Sequence, residues 1–403
     1  MRILTYSSLF PNDVDPTHGI FVERRLSELR KATGMEASVV APVPWFPSKS
    51  KLFGAYGELA SVADRDRRQG VDILHPRYPV LPKVGMRVAP FLMSRATIGC
   101  VRKLIEQSGP FDVIDAHYFY PDGVAAAWIA NRVGLPYMIT ARGSDINLIG
   151  RYSAPRKAIV GASRGAGAVV AVSNALAKKM CSLGVDPKRI HVIRNGVDLD
   201  FFCPGAVERR EYPNGDKAPL FLSVGLLKEA KGHDIAIRFV ASLAGSRLVI
   251  VGEGPHKRYL KRLARDLGVS DRVTFAGRID SAALRTYYRN SDALILMTRR
   301  EGMPNVVLES LACGTPVLAT AAGGIPEILT APEAGRLVAD RTPKALADAW
   351  AQLSSQNPEP ERTRKQAEKF SWQISVTQLA RTLEDCVRKK IANRQPNGAA
   401  RAA

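Results

Sequence analysis

The sequence alternates between short apolar runs and amphipathic stretches along most of its length. Apolar segments such as RILTY and FDVIDAH are followed by helical patterns such as GIFVERRLSELRKAT and GVAAAWIANRVG. This alternation is typical of parallel βαβ units, because parallel strands need a long crossover connection between them. It therefore predicts an α/β fold built on doubly wound parallel sheets. Residues 46–70 interrupt the pattern, and we predict an irregular loop there.

The alternation comes in two series, and a chain of 403 residues is too long for one ordinary core. Between the series, a stretch with Pro204, Pro213 and Gly215 shows little periodicity, so we interpret it as a linker. The predicted organisation is a Rossmann-like domain over 1–198, the linker over 199–218, a second Rossmann-like domain over 219–368, a helix over 369–392 and a disordered tail over 393–403.

The chain carries an even excess of positive charge. Lys and Arg number 58 against 38 Asp and Glu, and the formal net charge is +20. Residues 1–200 and 201–403 each contribute +10, so the excess is not confined to an arm of the kind that binds nucleic acid. It favours a phosphate-bearing small substrate or an anionic membrane surface as partner, and we expect no nucleic-acid partner.

The spacing of the cysteines and the hydropathy of the chain indicate the cellular compartment of the protein. The five cysteines form no CxxC pair and have no histidine at metal spacing, which indicates a reducing compartment and no structural zinc site. The first apolar run is too short for a signal peptide, and no uncharged run reaches the ~18 residues that span a bilayer. We predict a cytoplasmic protein, with peripheral association at the inner face of the membrane as a further expectation.

One segment, MTRREGMPNVVLESLA, places a helix start directly after a strand. ALILM has the pattern of a strand and NVVLESLA that of a helix. Pro304 suits the first helical turn, and the N–H groups of Asn305, Val306 and Val307 would then be free to bind a phosphate.

Two glutamates flank this helix start. Glu301 lies in the loop, and Glu309 lies one turn after Asn305, where a side chain leans back toward the helix N-terminus. Both carboxylates suit the hydroxyl groups of a sugar or ribose. The alternative is that Glu309 is a solvated helix residue and that Glu301 only complements the helix dipole.

Other strand ends of the second series also carry residues suited to a ligand. SVGLLKEAKGHD places Lys231 at a strand-to-helix junction, where an ammonium group would meet a phosphate. VIVGEGP carries Gly252 and Gly254 without a third glycine, a weak dinucleotide fingerprint. The exit of RVTFAGRID would line a base pocket. The alternatives are a solvated lysine and ordinary turns.

The first series offers a polar set at its strand ends. His117 follows FDVIDA and could bond a sugar or polarise a leaving group, and a packed histidine is the alternative. Arg142 and Asp145 follow the next strand and suit an anionic or polyol acceptor, unless Asp145 only caps a helix. Gly19 precedes a helix, where the backbone could approach a phosphate closely.

With these segments the chain resembles the retaining GT-B glycosyltransferases of the large group that carries an E-x7-E element, the family-four-like enzymes of bacterial polysaccharide synthesis. The matching segments are VGLLKEAKGHD, VGEGP, RVTFAGRI and REGMPNVVLESLACGTPVLATAAGGIPEI, preceded by FPNDVDPTHGIFVERRLSEL, DAHYFYPDG, PYMITARGSDIN and VIRNGVDLDFF. The resemblance implies two Rossmann-like domains facing across a cleft, with the last helix crossing back to the first. It also implies retaining transfer of a sugar from a sugar nucleotide to a hydroxyl of a carbohydrate or lipid-linked acceptor, in surface polysaccharide or glycolipid synthesis.

The resemblance assigns roles to individual residues. The catalytic set is His117, Glu301 and Lys231, with Lys231 on the donor diphosphate and Glu301 on the transferred sugar. The donor-binding set is Gly19, Gly225, Lys231, Gly252, Arg278, Ile279, Glu301, Gly302, Met303, Pro304, Asn305, Val306 and Glu309, and the acceptor-side set is Arg142, Asp145 and Asn195. We expect no metal and no cofactor, because Lys231 and the helix start at Asn305 would neutralise the leaving diphosphate.

Two positions depart from the family pattern. Leu226 stands where an arginine often supplies a second cation for the diphosphate, and Lys228 is the candidate substitute. Arg142 replaces a histidine, as in a subset that makes bacterial surface polysaccharides. Two other functions stay open: another GT-B sugar-nucleotide enzyme such as an epimerase, and a basic protein that binds membrane or nucleic-acid surfaces.

Overall fold

The structure of the chain, a computed structural model, describes residues 1–50, 55–80, 85–205 and 218–394. The chain divides into two compact units, which we call unit 1 (Met1–Arg194 and Ser375–Ala403) and unit 2 (Asn195–Ile374). Residues 206–217 of the predicted linker and residues 395–403 of the predicted tail lie outside the described residues.

Unit 1 is built on a doubly wound sheet. Its strands, over the described ranges, are β1 (Arg2–Tyr6), β2 (Glu36–Val40), β3 (Val43–Trp45), β4 (Arg65–Arg68), β5 (Val71–Leu74), β6 (Arg77–Pro79), β7 (Val113–His117), β8 (Tyr137–Ala141), β9 (Ala168–Ala171) and β10 (Ile190–Val192). The main sheet has the order β10-β9-β8-β7-β1-β2-β5-β4, and β3 pairs with β6 separately. The pairs are parallel except β4 with β5. β7, β8 and β9 are buried along their whole length, as expected of strands covered on both faces.

The helices that connect these strands follow the predicted alternation. They are α1 (Ile20–Thr33), α2 (Ala55–Ser61), α3 (Gly85–Ser108), α4 (Val124–Val133), α5 (Ser144–Asn147), α6 (Ser153–Gly165) and α7 (Asn174–Leu183). The prediction of an irregular loop over 46–70 is wrong, because these residues include helix α2 and strand β4. Strands β4 and β5 join through Gln69, whose φ is +50°, and Gly70, whose φ is +74°. That backbone suits a tight hairpin, but glutamine is not a usual sequence signal for it.

Unit 2 contains one fully parallel sheet. Its strands within the described residues are β11 (Leu220–Val224), β12 (Arg247–Val251), β13 (Val273–Gly277), β14 (Ala293–Leu296), β15 (Val317–Thr320) and β16 (Gly335–Val338), in the order β13-β12-β11-β14-β15-β16. The helices that follow in the chain are α8 (His233–Ser242), α9 (Lys257–Asp266), α10 (Ser281–Asn290), α11 (Asn305–Ala312), α12 (Ile325–Ile328), α13 (Pro343–Gln356), α14 (Pro360–Glu368) and α15 (Trp372–Arg394). The predicted α/β class with doubly wound parallel sheets is confirmed.

A large apolar core lies under the sheet of unit 2. Phe221 on β11 packs edge-on against Phe239 of α8, with ring centroids 5.0 Å apart, and against Trp350 of α13 at 4.8 Å. Aromatic pairs in this geometry are worth ~0.5–1.5 kcal/mol beyond the area that they bury. This packing fixes α8 and α13 on one face, so the strand ends of β11 and its neighbours have a rigid base.

The chain passes from one unit to the other at two places, after Arg194 and after Ile374. In unit 2, the Val197 N–H donates to the Phe370 carbonyl at 2.9 Å. In unit 1, the Ser375 hydroxyl donates to the Arg194 carbonyl at 2.8 Å. The first segment of unit 1 ends at Arg194, four residues before the predicted boundary at 198. The final helix begins at 372 and continues to 394, which includes the first two residues of the predicted tail.

Helix α3 bears on the predicted membrane partner. Phe91 is 51% exposed and lies one turn from Arg87 and from Arg95, which are both exposed, whereas Met93 and Thr97 are buried. Among the helices of the described ranges, none is both long enough and apolar enough to cross a membrane. An anionic membrane surface as partner stays a prediction.

Candidate active site

The strand order of unit 2 reverses beside β11. β11 pairs with β12 on one side and with β14 on the other. Connections leave such a point in opposite directions and open a crevice at the carboxyl ends of the two strands, where open α/β sheets bind their ligands. The segment after β11 carries Lys231 and the segment after β14 carries Glu301. Two predicted site residues therefore meet at one edge of the sheet.

Lys231 and Glu301 form an ion pair at this edge. The lysine Nζ lies 2.5 Å from the glutamate Oε1, and the two side chains are 27% and 12% exposed. Hydrogen bonds between ionised groups are shorter and stronger than neutral ones. Sequence reasoning assigned the lysine to a phosphate and the glutamate to a sugar, but it did not predict that they bond to each other.

The turn that carries Lys231 depends on the glycine that follows it. Gly232 has a φ of +75°, and a Cβ there would lie 2.1 Å from the Met297 carbonyl oxygen, just after β14. A side chain at this position would push the two segments apart. The glycine therefore sets how closely Lys231 approaches the segment of Glu301.

The loop after Glu301 rests on the paired glycines of the AAGGIPEI segment. The Gly324 N–H donates to the Gly302 carbonyl at 2.9 Å. A Cβ on Gly323, whose φ is +57°, would lie 2.1 Å from the Glu301 carbonyl oxygen. The glycine turn thus allows two loops to pack backbone to backbone, and it holds Glu301 from behind.

Asn195 holds the same loop from the other end. Its Nδ2 donates to the Met303 carbonyl at 3.1 Å and to the Asn305 Oδ1 at 2.8 Å. The sequence groups Asn195 with the acceptor side and with the first domain, but the structure places it in unit 2, beside the predicted donor loop. The placement differs because the border of the units lies at 194/195, before this residue.

Helix α11 covers Asn305–Ala312, the predicted NVVLESLA segment. Pro304 precedes the helix, with φ −78° and ψ 116°, instead of occupying its first turn. The Val307 N–H donates to the Pro304 carbonyl at 3.2 Å, so it is not available to an anion in this conformation. The predicted phosphate site at this helix start therefore rests on Asn305 and Val306, which are both half-buried.

The second glutamate of the E-x7-E element is buried. Glu309 on α11 accepts a hydrogen bond at its Oε2 from the Tyr288 hydroxyl of α10, at 3.0 Å, and Tyr288 is fully buried. Glu309 is therefore not a solvated helix residue. Sequence reasoning missed Tyr288, because a tyrosine within a helical pattern predicts only packing.

The predicted glycines bring two strand ends together. Gly225 and Gly252 follow β11 and β12 with φ of +151° and +136°. A Cβ on Gly252 would lie 2.0 Å from the Gly225 carbonyl oxygen. Beyond the next strand, β13, Arg278 is exposed and Ile279 is half-buried. These positions line the same edge of the sheet as Lys231, and their roles toward a base stay predictions.

The position of the expected arginine lies on the surface. Leu226 is 51% exposed, and Lys228 is exposed as well, whereas Leu227 between them is buried. The Lys228 N–H donates to the Leu226 carbonyl at 2.8 Å, a tight turn that brings both outer residues to the surface. That Lys228 replaces the arginine stays a prediction.

In unit 1 the strand order reverses beside β1, which pairs with β2 and with β7. His117 ends β7 and is 1% exposed. Its Nε2 lies 3.0 Å from the Asp115 Oδ2, and its Nδ1 accepts from the Arg142 Nη2 at 2.6 Å. Burial lowers the pKa of His117 to about 4 against the opposing effect of Asp115, and the Arg142 guanidinium lowers it further. The ring is therefore neutral at physiological pH.

Arg142 is fixed by contacts beyond the histidine. Its guanidinium lies 5.0 Å from the centroid of the Phe21 ring on α1. One turn further along α1, the buried Arg25 donates to the Thr140 hydroxyl at 3.0 Å. Burial, and then the charge of Arg25, lower the pKa of Arg142 to about 9, so the group stays charged at neutral pH.

Of the residues that surround His117 and Arg142, only Asp115 had a signal in the sequence. Asp115 lies two residues before His117 on one strand, so both side chains point to the same face. That spacing could have identified Asp115. Phe21 and Arg25 lie more than 90 residues before His117 in the chain, and only the packing of α1 on the sheet brings them to the cluster.

Asp145 organises the turn after β8. It is fully buried, and it accepts from the N–H groups of Phe119 at 2.7 Å and Gly143 at 2.8 Å. The N–H groups of Arg142 and Ile146 donate to it as well. Asp145 lies in the first turn of α5, whose N-cap is Gly143, so it is not the helix cap that the sequence left as an alternative. A contact with an acceptor stays a prediction.

Gly19 is required by a close approach of backbone. It precedes α1 with a φ of +65°, and a Cβ there would lie 2.2 Å from the Leu9 carbonyl carbon in the segment after β1. The glycine therefore holds the segment after β1 against the start of α1. A contact between Gly19 and a phosphate stays a prediction.

Comparisons with known proteins cover both halves of the chain. The family model described as Glycosyltransferase Family 4 matches residues 62–201, and the model described as Glycosyl transferases group 1 matches residues 206–370. The chain is 29% identical over 358 residues to the Bacillus subtilis (strain 168) protein assigned to teichuronic acid biosynthesis as glycosyltransferase TuaC, with 87% of this chain and 88% of that protein covered.

A second relative and a solved structure extend these matches. The chain is 30% identical over 313 residues to the D-inositol 3-phosphate glycosyltransferase of Mycolicibacterium smegmatis, with 72% of this chain and 71% of that protein covered. The crystal structure of Anabaena HepE in complex with UDP superposes with a TM-score of 0.70 at 19% identity, over 95% of this chain and all of that chain. At that identity the likeness shows a common fold.

Proposed function

Because the chain belongs to the family-four-like GT-B glycosyltransferases, we propose that it transfers a sugar from a nucleoside diphosphate sugar to a hydroxyl group of a carbohydrate or lipid-linked acceptor. The family and the GT-B fold class predicted from the sequence are confirmed. The sugar-nucleotide donor, the retention of configuration, the independence of metal and the place in surface polysaccharide or glycolipid synthesis are parts of the proposal. The UDP in the HepE structure supports the nucleotide donor, and the teichuronic acid assignment of TuaC supports the place in polysaccharide synthesis.

The observation that carries the proposal is the Lys231–Glu301 ion pair at the strand-order reversal of unit 2. A nucleoside diphosphate leaves readily once its developing charge is neutralised. Lys231 would supply one positive group, and the start of α11 at Asn305 would supply backbone N–H donors. Glu301 would then be next to the transferred sugar, because it bonds the same lysine that holds the leaving group.

The proposed chemistry is a single exchange of bonds at the anomeric carbon. The bond to the diphosphate oxygen breaks, and the bond to the acceptor oxygen forms on the same face, which retains the configuration. The acceptor hydroxyl loses its proton to the departing diphosphate. Positive charge develops on the sugar during this exchange, and the Glu301 carboxylate stabilises it.

A screen of UDP-, GDP- and ADP-sugars for thermal stabilisation of the full chain tests the proposal. We expect one nucleotide class to raise the melting temperature, because ligands that bind only the folded state stabilise it. The hits are then assayed for release of nucleoside diphosphate. Recovery of an isomerised sugar nucleotide without release would indicate an epimerase. Salt-sensitive RNA binding without any sugar-nucleotide binding would indicate the basic surface binder.

Tyr288→Phe should weaken donor binding and leave the chemical step nearly unchanged. The variant keeps the buried ring but removes the hydroxyl that donates to Glu309, to which the family resemblance assigns the ribose of the donor. We expect the KM for the sugar nucleotide to rise about 10- to 100-fold, which corresponds to ~1.5–3 kcal/mol for one hydrogen bond to a charged group. Steady-state kinetics measure it, and a fall in kcat with an unchanged KM would contradict this role of Glu309.

A further inference from the structure

Both ring nitrogens of His117 bond other residues of the protein. Nε2 bonds Asp115 at 3.0 Å and Nδ1 bonds Arg142 at 2.6 Å, and the ring is 1% exposed. A histidine that bonds a substrate needs one nitrogen turned toward it. His117 has neither nitrogen turned that way in this arrangement.

The partners determine which nitrogen carries the proton. Arginine has only N–H donors, so the Nδ1 that receives its bond must carry the lone pair. The Nε2 then carries the proton and donates it to the carboxylate of Asp115. Asp115 thus selects the tautomer, and the tautomer offers Arg142 an acceptor. Such second contacts commonly set the tautomer and orientation of a functional group.

We propose that His117 is a positioning residue that holds the Arg142 guanidinium toward substrate and does not bond substrate itself. The inference rests on the proposed glycosyltransferase function. Three observations support it: the short bond from Arg142 to Nδ1, the Phe21 ring beside the guanidinium, and the partial exposure of Arg142 at the end of β8. Arg142 and Phe21 are half-buried, whereas the other members of this group are buried.

Arg142 stands where the family pattern has a histidine, and this replacement changes what the site recognises. A histidine can donate or accept, according to its tautomer, whereas a guanidinium only donates and carries a positive charge. The substrate group that meets Arg142 must therefore be a hydrogen-bond acceptor, and an anionic oxygen such as that of a phosphate or carboxylate binds it best.

Two substitutions at His117 separate positioning from direct contact. Asparagine places an oxygen acceptor near the position of Nδ1, so His117→Asn can still receive the bond from Arg142. His117→Ala cannot. With the best sugar nucleotide from the screen as probe, we expect His117→Ala to lower nucleoside diphosphate release at least 50-fold and His117→Asn to lower it less than 5-fold. Equal losses in the two variants would overturn the proposal.

A double-mutant cycle with Arg142 gives a second readout. If His117 acts only through Arg142, the variant with His117→Ala and Arg142→Ala should be no slower than Arg142→Ala alone. Independent losses that multiply would show that His117 contacts the substrate. Melting temperatures of all variants exclude a loss of folding as the cause.

The tautomer is measurable without turnover. In ¹⁵N-labelled wild-type protein we expect the His117 signals of a protonated Nε2 and an unprotonated Nδ1 near pH 7. A protonated Nδ1 would overturn the inference even in an active enzyme. If the wild type neither binds nor turns over any sugar nucleotide, the proposed function fails, and this spectrum still decides the geometry on which the inference rests.

Discussion

Lys231→Ala should lower nucleoside diphosphate release from the sugar nucleotide about 10³-fold, or ~4 kcal/mol in transition-state stabilisation. The variant removes the cation proposed to neutralise the leaving diphosphate. It also removes the cation that pairs with the Glu301 carboxylate at 2.5 Å, so less positive charge would offset that carboxylate where the diphosphate binds. Both effects act in the same direction, and kcat/KM should fall more than for the loss of one neutral hydrogen bond.

Two further variants test this explanation. Lys231→Arg retains the charge and should keep much more activity than the alanine variant. Lys31→Ala also breaks a Lys–Glu pair, that with Glu28 at 2.7 Å, but on the exposed face of α1, and it should leave turnover unchanged. Near-normal turnover of Lys231→Ala with folding intact would mean that the crevice beside β11 and β14 is not the donor site.

Glu301→Gln should lower turnover about 10²- to 10³-fold, whereas binding of the nucleoside diphosphate should stay equal or become tighter. The amide keeps the size of the side chain but removes the charge that stabilises the developing sugar cation. It also releases Lys231 from its ion pair, so the free lysine is better able to bind a diphosphate. We therefore expect the Kd for the nucleoside diphosphate alone to stay equal or decrease, while kcat falls.

Titration calorimetry with the nucleoside diphosphate, combined with steady-state kinetics, checks this opposed effect. Glu359→Gln is a matched control, because Glu359 pairs with Arg362 at 3.2 Å and is largely exposed. It should change neither quantity. A Glu301→Gln variant that lost nucleotide affinity and kept its kcat would show that Glu301 serves binding and not the chemical step.

Much of the fold was predictable because its signals are local. The period of apolar residues indicated β11, α8 and β14, and strand ends followed by glycine or by a helix start indicated where a ligand would bind. Lys231, Glu301 and the glycines of the crevice were found in this way. The hairpin of β4 and β5 was missed because its turn uses Gln69, a residue type that gives no turn signal.

The placement of contacts was less predictable, as Asn195 and Val307 show. Asn195 lies in a segment that reads as the end of the first domain, yet its amide bonds Met303 and Asn305, more than 100 residues later. Val307 was expected to present a free N–H group, but the backbone of Pro304 accepts its bond. Each outcome depends on local backbone angles or on a distant partner, and the residue pattern encodes neither.

The amino-acid sequence alone determined the α/β class, the family resemblance and the identity of the residues at the strand ends, because these depend on periodicity and on motifs read in order along the chain. Only the tertiary structure decided which of those residues meet. Lys231 and Glu301 are 70 positions apart, and they bond because β11 and β14 are neighbours in the sheet. Strand pairing and the packing of α1 likewise place Asp115 and a fixed Arg142 against His117, whose contact with a substrate stays a prediction. Strand order and helix packing result from burial of the whole chain, so the bonds that define the site appear only when the chain is folded.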